Sequence, residues 1–333
     1  ESFPGGVSTS VVVQVVSQMV HYVRTNSATP VAPFTSWATA ATNIQQAINA
    51  STQPGALILV SNGTFSTGSS TQRSASLNRV TINKPVIVRS VNGPAVTFIA
   101  GSTGVRGAYV GTNATLSGFT VSGGSTPNTG SYYEDLHGGG VWCEPSGGVT
   151  NSVIRSNVAE SGGGGVFGGV IRNSEIASNT ASTAEGGGGY GATFHACTIV
   201  SNRTLNLTSS GAGGGVSSCI LYDSTLAHNR AGTSVLQEGG GAYLSLLYNC
   251  IVRTNVALRG GGVRDCIVSN TVIEGNAATQ DGGGAFASTL EACTVVSNVA
   301  ALNGGGVYGG TVIRSDVRQN RAGSGGGTYA TTS

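Results

Sequence analysis

Residues 260–276 read GGGVRDCIVSNTVIEGN, and residues 282–298 read GGGAFASTLEACTVVSN. Each stretch opens on three glycines, passes through short β-branched runs and closes on an asparagine 16 residues after the first glycine. The unit recurs along the chain. Glycine triplets start at Gly138, Gly163, Gly187, Gly213, Gly239, Gly260, Gly282, Gly304 and Gly325, in steps of 21–26 residues. The closing asparagines are Asn157, Asn179, Asn202, Asn229, Asn255, Asn276, Asn298 and Asn320. Six of the eight triplet-to-asparagine intervals are 16 residues, so length varies mainly after the asparagine, as in 203–212 and 230–238. A constant core with insertions at one point is the pattern of a solenoid with loops leaving one edge.

The period is too short for paired helices, and no 3.6-residue apolar pattern runs inside it. It suits one coil of a parallel β-helix, with coils about 4.8 Å apart and equivalent residues stacked in columns. The expected fold is all-β: a right-handed parallel β-helix with a short capping α-helix at about 36–51. The glycine column is read as a site of positive φ and close coil approach. The asparagine column is read as a left-handed turn with stacked side-chain amides. Five residues before each asparagine lies a column of small residues: Ser152, Ser174, Cys197, Ser224, Cys250, Thr271, Cys293 and Ser315. Cys219 and Cys266 fall in another column, so diagonal bridges Cys197–Cys219 and Cys250–Cys266 are conceivable; buried free thiols are the favoured reading.

Three regions follow. Residues 1–20 form a β-rich extension, 21–131 hold the cap helix and first coils, and 132–333 carry the glycine-rich coils of the same domain. Trp37, Ala40, Ala41, Ile44, Ala47 and Ile48 share one helical face, with Thr35 or Ser36 as the cap and Pro54-Gly55 as the stop. The segments 21–23, 35–45 (TSWATAATNIQ) and 88–94 (VRSVNGP), with the GGG-[VA]-[YFW] and C-T-[IV]-x-x-N units, resemble secreted bacterial right-handed parallel β-helix repeat proteins. They are also similar to the repeats of polymorphic outer-membrane and autotransporter passenger proteins. The resemblance implies the fold and secretion. It implies no single activity, because the fold hosts lyases, hydrolases and adhesins.

Composition narrows the function. The chain has 333 residues, 54 of them glycine, with 9% charged residues and a formal net charge of +2. The weak charge gives no field to attract nucleic acid. No apolar run is long enough for a transmembrane helix. The chain opens at Glu1 without a charged-then-apolar leader, which reads as a mature secreted or surface protein. Asn49, Asn62, Asn113, Asn202 and Asn206 stand in glycan-acceptor triplets.

Val11, Val12, Val13, Val15, Val16 and Met19 lie in an apolar, uncharged run, and the far end stops in the opening strand of a new coil. These two features favour self-association, with residues 7–20 adding to a neighbouring subunit head-to-tail. On that basis the leading expectation is an extracellular structural or adhesive β-helix, plausible as a filament subunit, without cofactors or metal.

The chief alternative is a polysaccharide lyase or glycoside hydrolase. Its residues would be the densest titratable group, Glu134, Asp135, His137, Glu144, Glu160 and Glu185, because hydrolases need paired carboxylates and lyases a base beside acidic groups. Stacking is expected to align His137, Glu160 and Glu185 along one edge. Tyr132, Tyr133 and Trp142 could pack on sugar rings. A third reading keeps these residues as a glycan-binding surface without turnover. A solvated loop is the plainest account of the cluster, and the balance leans away from an enzyme.

Overall fold

Four backbone bends and four short strands make one coil, as residues 260–281 illustrate. Gly260, Asp265, Asn270 and Gly275 all have positive φ, between 48° and 60°. Between them run the strands Val263–Arg264, Ile267–Ser269 and Val272–Glu274, with Ala277–Ala278 after the last bend. Each strand pairs in parallel with its equivalent 22 residues on: Val263 with Ala285, Ile267 with Thr289, Val272 with Thr294, Ala277 with Val299. Repeated along the chain, this gives a parallel β-helix of about ten turns. The computed structural model describes residues 18–72, 76–205, 213–232 and 238–332. One large sheet holds 22 strands, from Val20–Val23 to Thr328–Tyr329, a second holds 11, and two three-stranded sheets form the remaining side.

The interior is filled by columns of aliphatic side chains. One runs Val121, Ile154, Ile176, Ile199, Leu226, Val252, Ile273 and Val295, all fully buried. Each such side chain contributes about 1.5–3 kcal/mol by leaving water.

The asparagine column is a buried amide ladder. Asn276 Nδ2 donates to Asn298 Oδ1 at 2.9 Å and to the carbonyl of Val252 at 2.9 Å. The backbone N–H of Asn276 donates to the same Asn298 Oδ1. This pattern repeats from Asn157 to Asn298, so both amide N–H groups and the oxygen are used on those rungs, and Asn320 closes the ladder as acceptor. The left-handed residue is not the asparagine itself, as expected from sequence, but the one before it: Ser156, Ser178, Ser201, His228, Thr254, Gly275, Ser297 and Gln319. The bend at that residue turns the asparagine inward, where its amide replaces the backbone partner that the corner lacks.

The triplet glycines have two separate causes. The first takes positive φ. In the run 186–189 this residue is Gly186 rather than Gly187, which shifts the sequence register by one. The second and third lie where adjacent coils touch. A Cβ on Gly261 would sit 2.4 Å from the Ala277 carbonyl, and one on Gly262 would sit 2.5 Å from the Gly284 carbonyl and 3.0 Å from Asn276 Nδ2. All six cysteines are free and buried, so neither conceivable bridge is formed. Thiol and hydroxyl alternate because both suit one corner: Ser224 Oγ accepts from Cys197 N at 3.1 Å and donates to the Tyr222 carbonyl at 2.8 Å.

The cap helix is shorter than expected. Helix α1 spans Ile44–Ala50, and its N-cap is Asn43 in a capping box with Gln46, not Thr35 or Ser36. Residues 36–42 are not helical, because Ala41 is drawn into the first rung: it bridges Val23, its N–H bonds to Tyr22 and its carbonyl accepts from Arg24. Lys84, the only lysine, ends the helix by donating to the carbonyls of Ile48, Asn49 and Ser51 at 3.0, 3.0 and 2.6 Å. Ile44, Ala47 and Ile48 face the first strands. Val20–Val23 pairs with Leu57–Val60 of its own chain. Of the expected assembly residues, Met19 is exposed, whereas Val11, Val12, Val13, Val15 and Val16 lie outside the described residues.

Candidate functional site

The segment 126–137 leaves the regular coil and folds back on it through Arg106. This arginine is 3% exposed, and it donates to the carbonyls of Gly138, Glu134 and His137 and to Asn78 Oδ1 at 2.8–2.9 Å. Burial lowers its pKa to about 10, opposed by the nearby Asp135 carboxylate. Asp135 is buried and accepts from Ser131 N, Ser76 N and Ser76 Oγ. It therefore anchors helix α2, Tyr132–Asp135, rather than facing solvent. Sequence reasoning missed Arg106; a lone arginine inside a strand is weak as a signal.

His137 is fully buried. Its Nδ1 lies 2.6 Å from the Tyr132 carbonyl, which can only accept, so Nδ1 carries the proton. Burial, and secondarily Arg106, lower its pKa to about 4 despite that hydrogen bond. The ring sits among Tyr132, Tyr133, Phe167 and Tyr190 at centroid distances of 4.8–5.8 Å. It is a neutral packing group at neutral pH, placed under two tyrosines that are 51% and 59% exposed. The expected row of His137, Glu160 and Glu185 is corrected. His137 and Glu185 directly precede the left-handed glycines Gly138 and Gly186, but the residue between them in register is Gly162. A Cβ on Gly162 would come 3.0 Å from both His137 Cδ2 and the Glu185 carbonyl, so a side chain there would crowd the imidazole. Glu160 lies two residues earlier, with its carbonyl bonded to Thr183.

The remaining acids are held apart. Glu144 is 8% exposed and accepts from the Tyr109 hydroxyl at 2.7 Å. Glu185 is part-buried, which pushes its carboxyl pKa up, and it accepts from Ser217 Oγ at 2.6 Å. Tyr109, Trp142, Phe167, Tyr190 and Ser217 occupy five successive rungs. The two carboxylates are thus on the order of 15–19 Å apart. A hydrolase pair stands within about 10 Å. No group of three or more His, Cys, Asp or Glu residues gathers as metal ligands among the described residues.

The same rungs show what sequence reasoning passed over. The second residue after each triplet, read from sequence only as the aromatic of the GGG-[VA]-[YFW] unit, forms a stack on the outer face of the large sheet. Tyr109, Trp142, Phe167 and Tyr190 follow one another with centroids 5.3–5.9 Å apart. After Ser217 the stack resumes with Tyr243, Arg264, Phe286, Tyr308 and Tyr329, at 5.0–5.8 Å. Arg264 pairs there with Glu238, which also meets Arg259 at 3.4 Å. A shorter stack, His195–Tyr222–Tyr248, runs on the next segment of the coil, so His195 has a packing role. Beside the first stack an open groove of about 380 Å³ is lined by Trp142, Glu144, Pro145, Phe167, Gly169 and Thr193. Trp142 Nε1 donates to the Tyr133 carbonyl and ties this groove to α2.

Among the glycan acceptors, Asn49, Asn62 and Asn113 are exposed. Asn202 is wholly buried in the amide ladder, with both N–H groups committed, so it has no room for a glycan. Asn206 lies outside the described residues.

No family model matches this chain, and no curated protein matches it by sequence. Solved structures share its general form. The pectate lyase Pel9A aligns over 92% of this chain and 79% of its own at 18% identity, with a TM-score of 0.48. An alginate lyase from Paenibacillus sp. aligns over 87% and 96% at 14% identity, TM-score 0.40. Pectin methylesterase PemA from Erwinia chrysanthemi aligns over 78% and 80% at 11% identity, TM-score 0.42. Overlaps of this size leave function to the geometry of the chain itself.

Proposed function

We propose that the protein is a carbohydrate-binding β-helix that holds a polysaccharide along its aromatic face without cleaving it. The observation that carries this reading is the outward ring stack beside the Trp142–Thr193 groove, with Tyr132 and Tyr133 exposed above it. Stacked rings on a rigid sheet are ordered before a ligand arrives, so binding costs little side-chain entropy. The apolar C–H faces of sugars suit the exposed rings of Tyr132 and Tyr133, and the half-buried Glu185 and Arg259 border the stack with hydrogen-bonding groups for hydroxyls. The separation of Glu144 from Glu185, and the burial of His137, favour holding over hydrolysis. This reading places the protein where polysaccharides are met, at or outside the cell surface. No helix among the described residues is long and apolar enough to cross a membrane. The filament reading rests on residues 7–20 and the last coil; residues 7–17 lie outside the described residues, and Val20 pairs with Leu57 of its own chain, so the described surface favours glycan binding over assembly.

The test is retardation in affinity gels cast with a panel of neutral and acidic polysaccharides, combined with assays for reducing ends and unsaturated products. The expected result is retardation by at least one polymer with no product. Tyr133→Ala should weaken binding about three- to tenfold, as loss of one aromatic contact does. Product formation would replace this reading with the lyase or hydrolase. Retardation by no polymer would leave the binding face without a ligand and overturn it.

A further inference from the structure

A second pocket lies on the first rungs of the solenoid, on the corner that follows the first strands. Val20–Val23, Leu57–Val60 and Ile87–Ser90 are successive rungs, and each runs into a corner residue: Arg24, Ser61 and Val91. The corners are locked in register, with Ser61 N donating to the Val23 carbonyl and Val91 N to the Val60 carbonyl, both at 2.9 Å. Asn62 and Asn92 come next, one above the other, with Asn92 Nδ2 donating to Asn62 Oδ1 at 2.8 Å. The loop carrying Asn26 is drawn against this corner because Gly63, at φ +145°, leaves space that Thr25 approaches; a Cβ there would lie 3.1 Å from Thr25 Cγ2. Trp37, held edge-on by Tyr22 at 4.7 Å, forms a wall and stays 37% exposed. The space is an open depression of about 380 Å³, the size of a small-ligand site.

The chemistry of the lining is specific. Arg24 is its one charged side chain, and no acid lines the pocket. Arg24 Nε is buried and has no hydrogen-bond partner among the described residues. Arg24 as a whole is half-buried, and the part of its guanidinium on the pocket lining offers charged donors to an anionic oxygen. Three amides, from Asn26, Asn62 and Asn92, offer both donors and acceptors, as a ring bearing several hydroxyls requires. The indole supplies an apolar surface for a sugar's C–H face.

We propose that this pocket binds a single anionic sugar unit, with its carboxylate or sulfate on Arg24, its ring against Trp37 and its hydroxyls on the three asparagine amides. The site is separate from the aromatic stack, so it stands or falls independently of polysaccharide binding there.

The experiment is saturation-transfer NMR and calorimetric titration of the intact chain with glucuronate, glucose 6-sulfate, glucose and acetate. At least one anionic sugar should bind, at least about tenfold more tightly than glucose, the difference expected for one charge-assisted contact. Acetate should fail to displace it at equal concentration. Arg24→Gln should abolish the preference over glucose, and Trp37→Ala should weaken all the sugars. Tyr133→Ala, outside this pocket, should change nothing. Asn62→Ala provides a second loss-of-binding variant should Arg24→Gln melt early. No binding by the unaltered chain, equal binding of glucose, an unchanged preference in Arg24→Gln, or full competition by acetate would each overturn the proposal. The last would leave a bare anion site.

Discussion

At the scale of single residues, the asparagine ladder shows why one side chain recurs on every coil. Asn255 accepts from the backbone and side-chain N–H groups of Asn229 and donates to Leu226 O and Asn276 Oδ1. Asn255→Ala removes the acceptor of two buried Asn229 N–H groups and the donor to Leu226 O on one neighbouring coil, and one of two donors to Asn276 Oδ1 on the other. It should destabilise the protein by on the order of 3 kcal/mol or more in denaturant unfolding. The thiols are equally committed to the interior. Burial pushes Cys143, Cys219 and Cys266 up to about 12 and Cys197 and Cys250 to about 11. A thiolate-seeking reagent at mildly alkaline pH should label none of them until the chain is unfolded.

His137 gives a pH dependence of definite sign. Its folded pKa lies below its ordinary value, so its contribution is intact above about 6.5. As pH falls from there toward about 4, the unfolded chain takes up a proton that the folded chain refuses, and stability drops by at most about 3 kcal/mol. His137→Gln should flatten the fall in melting temperature over that window. An unchanged slope would place the titration elsewhere.

At the scale of the coil, two kinds of glycine should respond differently to substitution. Gly284 lies where a Cβ would stand 2.6 Å from the Gly306 carbonyl and 3.0 Å from Asn298, so Gly284→Ala pushes two coils apart. A loss of about 2–3 kcal/mol is expected from this overpacking. Gly191 has positive φ but nothing within 4 Å, and its equivalents Ser218, Leu244, Asp265 and Ala287 already adopt that conformation. Gly191→Asn should stay within about 1 kcal/mol of the parent protein by the same measurement. Period and triplet were legible because every coil repeats the same contact. The start of α1 was not legible. The apolar spacing of Trp37, Ala40 and Ala41 fits a helix, but Ala41 gains more as a partner of the first strand, a contact no local pattern contains.

At the scale of the whole molecule, a solenoid turns a sequence period into lines of like groups along one axis. If the outward stack is a binding track, contributions from distant rungs should add, because they share a ligand but not a contact. Tyr133→Ala and Phe286→Ala combined should weaken polysaccharide binding by about the product of their separate effects in affinity gels. A short oligosaccharide should feel only one of them. Of the cluster singled out from sequence, the fold gathers Tyr132, Tyr133, His137 and Trp142 and turns Asp135 inward. Glu144 and Glu185 go to different rungs. Closeness along the chain misled here, because neighbours in sequence can be a full coil apart in space.

The sequence by itself determined the β-helix, its period, the glycine triplets and the amide ladder, since each arises from one local geometry repeated many times. Only the tertiary structure decided which residues share a surface. That depends on the length of each inserted loop, on Arg106 clamping 131–138 to the coil, and on the stacking of rungs that sets Trp142 beside Phe167 and Arg24 beside Asn62. These are contacts between residues many positions apart, and their energies appear only once the coils are packed.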